Sequence, residues 1–161
     1  MHTYQKRWPE DFSDWPGPDL NVLQFRDAHD VARYAELDPV LAWRTWPEVW
    51  HLDDEGRFRC CSRGSSLDSV HRFAKRPADM LLCREEPVDP PCPSRWLVIE
   101  PRHPWRGDRY QVSEDDARAF LRLRRGLARH GIVLLDVIVF DQAFHWWSLH
   151  ELTSGTTTWS S

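Results

Sequence analysis

Two uninterrupted apolar runs bracket one strongly signalled helix, and that arrangement limits this chain more than any other feature. Trp96-Leu97-Val98-Ile99 and Ile132 to Phe140, the second broken only by Asp136, lack the polar alternation of a sheet face open to water. Strands of that kind are buried on both faces. Between them Ser113 stands as a helix N-cap, and Glu114, Asp115 and Asp116 occupy the positive first turn. Arg118, Arg122, Arg124, Arg125 and Arg129 follow where the helix dipole turns negative. Ala117, Phe120, Leu121, Leu127 and Ala128 are expected to supply the apolar face, and Gly131 to end the helix.

The remaining segments fit around that centre. Asp27 can cap a helix whose Ala28, Val31, Ala32 and Ala35 recur at helical spacing before Pro39. Trp46 to Leu52 and Arg57 to Cys61 read as two strands joined by the turn Asp53-Asp54-Glu55-Gly56, and Ser65 to Arg72 as a further strand. Pro77 suits the first turn of a helix through Leu82. Glu86 to Ser94 is too rich in proline for either element and reads as a surface loop. Phe144 to Leu149 should pair back on the last long strand as a hairpin. Residues 1–21 read as an irregular Trp/Pro-rich arm, 22–152 as one domain and 153–161 as a polar tail. The sum is an α/β domain with a central mixed sheet flanked by helices.

Composition narrows the functional classes. Lys+Arg 21 against Asp+Glu 25 leaves a net charge of −4, which argues against a protein that coats duplex DNA, though not against a local basic patch. No run approaches the roughly 20 apolar residues of a membrane span, and residues 1–8 lack a signal-peptide core. The expectation is a soluble, cytoplasmic protein with no membrane partner. Cys60, Cys61, Cys83 and Cys92 form no C-x-x-C pair, so they read as buried or incidental thiols rather than zinc ligands. Most of the ten tryptophans are expected in the core and some on a partner surface, where tryptophan is enriched. Of the adjacent Trp146 and Trp147, one should face the core and one should be exposed.

Several collinear segments resemble one family. They are Asp30-Val-Ala-Arg-Tyr34, Glu48-Val-Trp-His-Leu-Asp53, Gly64-Ser-Ser-Leu-Asp-Ser-Val70 with Arg76-Pro77, and Trp96-Leu-Val-Ile99 ahead of His103-Pro104. Gly131-Ile-Val-Leu-Leu-Asp136-Val-Ile-Val139 and Ser148-Leu-His-Glu151 complete the series. Together, from about Val22 to Leu152, they resemble the RadC-like branch of the JAB/MPN (JAMM) metalloprotease fold. The resemblance implies a cytidine-deaminase-like α/β sandwich. In active members of that family zinc is held by His-x-His and by the Asp of Ser-x-x-Asp, with an upstream Glu as general base. Such a set leaves one zinc position open for an activated water.

Matched to that pattern, the surviving residues are Glu48 at the acid–base position, His103, Ser113 and Asp116, with His103 and Asp116 as the remaining metal ligands. Pro101 stands where the first histidine belongs, and Asp136-Val137 where the family has Asp-His. Glu100 would reach a metal only if its strand ended early, while His51, His145 and His150 are more distant substitutes. Loss of one ligand of three should leave the site vestigial and without cofactor. The expected role is therefore a protein-binding or regulatory module, which the resemblance links to accessory factors or inhibitors encoded by mobile elements or phage. The alternatives are a zinc-dependent peptidase or isopeptidase with a substitute ligand, and a nucleic-acid-binding protein associated with DNA repair. Candidate contact residues are Trp105, Arg106 and Arg109 in a lengthened loop, and Arg118, Arg122 and Arg125 on the arginine-rich helix. The plainer reading of that helix stripe, and the preferred one, is a solvated face whose charge the helix dipole favours.

Overall fold

Both long apolar runs become neighbouring strands. A computed structural model describes residues 1–4, 23–38, 46–65, 69–83, 94–102, 112–143 and 145–159. In it β4 (Arg95–Pro101) and β5 (Val133–Phe140) pair in parallel, and α3 (Glu114–Ala128) makes the crossover that parallel neighbours require. The other strands are β1 (His2–Thr3), β2 (Glu48–Leu52), β3 (Phe58–Arg63) and β6 (His145–Ser148). Among the described residues they form one six-stranded mixed sheet in the order β1-β6-β5-β4-β2-β3.

Helix α1 (Ala28–Leu37) covers one face, and α2 (Val70–Lys75) and α3 cover the other. Alternation along β4 divides the core accordingly. Leu97 and Ile99 join Trp50, Tyr34 and Trp146 on the α1 side, while Trp96 and Val98 join Phe73, Phe120, Leu123 and Leu127 on the α2–α3 side. No helix among the described residues is long and apolar enough to cross a membrane.

Several local expectations change. The segment ending at Arg72 does not add a strand: Ser69 caps α2, whose Val70, Phe73 and Ala74 fall at helical spacing and are all buried. The helix expected from Pro77 is a 3-10 helix, Pro77–Cys83. On α3 the buried stripe is Asp116, Ala119, Phe120, Leu123 and Leu127; Leu121 and Ala128 are exposed and Ala117 half-buried. The apolar stripe is thus rotated from the expected one, because the polar Asp116 turns inward with it. Residues Thr153 and Ser154 finish a further helix, α4 (Leu149–Ser154), and Trp159 beyond it is buried against the α1 side. Trp146 and Trp147 do point to opposite faces, yet both are buried because each face is covered. Cys60 is half-buried and Cys61 exposed, so neither is a core thiol.

The fit of the 3-10 helix against α3 depends on one glycine. A Cβ on Gly126 would lie 2.4 Å from Pro77 Cγ. Gly126→Ala should therefore destabilise the protein by about 1–3 kcal/mol despite the better helix propensity of alanine. A urea titration showing equal or greater stability for the variant would refute this packing.

Candidate functional site

Strand parity decides which side chains meet the start of α3. Pro101 shares a sheet face with Leu97 and Ile99, whereas Glu100 and Arg102 turn to the α2–α3 face. Asp116 waits there, buried in the first turn of α3. Strand β4 does not end early, and Arg102 prolongs its pairing by donating its backbone N–H to Phe140 O at 2.8 Å. The residues presented to Asp116 are thus Glu100 and Arg102 rather than Pro101.

The Arg102 guanidinium lies between the two carboxylates. Its Nε and Nη2 donate to Glu100 Oε2 at 3.0 and 2.9 Å, and Nη2 also donates to Asp116 Oδ1 at 2.7 Å. Nη1 lies 3.3 Å from Asp116 Oδ2. The other acceptor positions are filled from the helix starts. Val70 N–H donates to Glu100 Oε1 at 2.6 Å, and Ser113 N–H and Oγ donate to Asp116 Oδ2 at 2.8 and 3.2 Å. His71 Nε2 sits 2.7 Å from Asp116 Oδ1, with its ring about half exposed.

Electrostatics follow from this geometry. Burial alone would push the Asp116 carboxyl up, but hydrogen bonds from Arg102, Ser113 and His71, with the guanidinium charge, hold it well below the usual carboxylate range. Burial likewise opposes the charge on Arg102, and Glu100 and Asp116 outweigh it, so the guanidinium stays charged. The cluster joins the end of β4 to the first turns of α2 and α3.

A divalent ion does not fit this set. Arg102 Nη2 takes the position between Glu100 and Asp116 that a cation would need, and both Asp116 oxygens already accept at least two donors. Among the described residues no group of three His, Cys, Asp or Glu side chains is arranged to hold a metal ion. Glu48 lies on the opposite face of the sheet, where its Oε2 accepts from Trp50 Nε1 at 3.1 Å. The structure thus brings Ser113 and Asp116 together but separates Glu48 from them. His51 contacts Ser62 Oγ at 2.8 Å, His145 contacts Asp141 at 2.9 Å, and His150 contacts Thr158 O at 3.2 Å, all away from Asp116. His103, Trp105, Arg106 and Arg109 lie outside the described residues.

On α3, Arg118 is engaged by Glu114 and Asp115 of its own first turn, whereas Arg122 and Arg125 are exposed and have no ion pair among the described residues. Among the described tryptophans, Trp50, Trp96, Trp146, Trp147 and Trp159 are buried, as most were expected to be, and Trp46 is half-buried.

Sequence reasoning missed His71 and the pairing of Arg102 with Glu100. The available signal was Glu100-x-Arg102: two opposite charges at strand spacing beside a fully apolar run must be buried together and paired. A second buried cluster also went unread. Asp136 accepts from Val137 N–H, His150 N–H, Ser148 Oγ and Trp159 Nε1 at 2.8, 2.9, 2.5 and 3.0 Å. Burial pushes its carboxyl up to about 7 against the pull of those four donors. Comparison with family models and with curated proteins returns no match to this chain.

Proposed function

We propose that this chain is a non-catalytic binding or regulatory domain derived from a RadC-like JAB/MPN fold, acting as an accessory factor or inhibitor. One observation carries the reading: Arg102 is seated between Glu100 and Asp116 as an internal cation. A guanidinium there supplies the positive charge the carboxylates need and offers no open coordination position, so no water can be activated at it. The peptidase alternative would need Glu48 on the Asp116 side of the sheet, and Glu48 faces the other way. The α/β architecture, with α3 crossing between β4 and β5, supports the fold assignment without being specific to it.

Elemental analysis of protein purified without chelator tests the proposal. Zinc should fall well below one equivalent, and adding zinc should leave the thermal midpoint unchanged. Stoichiometric zinc that disappears in Asp116→Ala would overturn it.

A further inference from the structure

We propose that the surface formed by α2, α3 and the cleft between their C-terminal ends binds the phosphate backbone of a nucleic acid. Packing of Pro77 on Gly126 brings Arg76, which closes α2, beside Arg129 and His130, which follow α3. The three line an open cleft of about 480 Å³. Arg122 and Arg125 continue the basic surface along the exposed side of α3, and Lys75 adjoins it on α2. Among the described residues Lys75, Arg76, Arg122, Arg125 and Arg129 have no carboxylate partner, whereas Arg33, Arg57, Arg59, Arg102 and Arg118 each have one.

Helix dipoles account for part of this charge. Each helix end carries the equivalent of about half a negative charge, so two ends offset roughly one cation. The half-buried Asp79 in the cleft offsets another. Against the cations Lys75, Arg76, Arg122, Arg125 and Arg129, that leaves a surplus of about three, in a protein whose net charge is −4. Clustered like charges repel, and a polyanion relieves that repulsion.

The chemistry of the surface favours phosphate over an acidic protein. A protein interface is organised around an apolar or aromatic centre, and among the described residues the exposed large hydrophobics are Met1, Leu37, Leu121, Val133 and Leu152. Of these Leu121 alone lies on α3, and none lines the cleft. Guanidinium groups without apolar anchors match phosphate contacts, which position a nucleic acid without reading its sequence.

This inference rests on the binding reading above and names its partner class. Fluorescence anisotropy with a labelled 20-base-pair duplex tests it on the whole chain. About three phosphate contacts should weaken binding roughly 40-fold between 50 and 200 mM salt. Arg76→Glu with Arg129→Glu should reduce affinity at least about tenfold at 50 mM salt and flatten the salt dependence, while Arg33→Glu on α1 should leave both unchanged. Should the double variant melt early, Arg125→Glu alone gives the same comparison on a folded protein. No saturable binding at 50 mM salt, an unchanged salt slope after charge reversal, or polyglutamate competing as well as unlabelled duplex would each overturn the inference, the last in favour of an acidic protein. Zinc content is measured separately, so a metal-loaded protein that binds DNA sinks only the earlier reading, and a metal-free protein that ignores DNA sinks only this one.

Discussion

Replacing Arg102 with alanine should lower the stability of this protein by about 3–5 kcal/mol, because it strands two buried carboxylates without a counter-charge. Glu100 and Asp116 both converge on the one guanidinium, and among the described residues neither has another cation of comparable burial within reach. The pH dependence distinguishes this mechanism from simple loss of packing. In the native protein the Asp116 carboxyl is held below its ordinary value, so its contribution is present above about pH 4 and is lost as pH falls through the folded value. Without Arg102 the same carboxyl keeps its burial and loses its leading hydrogen-bond partner, so its shift reverses. A raised folded value stabilises most at low pH and fades as pH rises. Urea denaturation should therefore show a wider gap between native protein and Arg102→Ala at pH 8 than at pH 5. Arg102→Lys should fall between the two, since an ammonium cannot span two carboxylates as a planar fork does. A gap below about 1 kcal/mol at both pH values would show that the cluster is not a buried ion pair.

Asp136→Ala should be nearly as damaging, at about 3–4 kcal/mol, since it leaves four converging donors without an acceptor. Those donors tie β5 to the end of β6, to the first turn of α4 and to Trp159, so the C-terminal segment should loosen first. Exposure of Trp159 would register as a red shift in tryptophan fluorescence before the main unfolding transition. Here the linkage has the opposite sign to that of Asp116. With the Asp136 carboxyl pushed up to about 7, the folded state binds the proton more tightly than the unfolded chain does. Its contribution is full below about pH 4 and declines, at up to about 1.4 kcal/mol per pH unit, until pH passes about 7. Asp136→Asn should remove that slope and lose the Trp159 bond, because its amide N–H₂ would face the indole N–H. An Asn variant with the native pH profile would mean that Asp136 does not titrate in this range.

Much of the architecture was readable along the chain because it depends on local patterns. The apolar runs of β4 and β5 and the acid-to-arginine gradient of α3 specified a buried sheet with a crossover helix, since burial and the helix dipole act on neighbours in sequence. The hairpin of β2 and β3 and the Asp27 cap were equally local. Segments with weak periodicity were not readable. The six residues of α2 are too few to declare a period, and Trp159 is buried only because Asp136 and the α1 face receive it.

The site divides in the same way. Sequence by itself determined that Ser113 and Asp116 stand together at a helix start, three residues apart in one turn. Tertiary structure alone decided what faces them: the parity of β4 sends Arg102 toward Asp116 and Pro101 away, and the sheet puts Glu48 on its far side. A side chain's face depends on where its strand begins to pair, and pairing is settled by contacts between residues far apart in the chain.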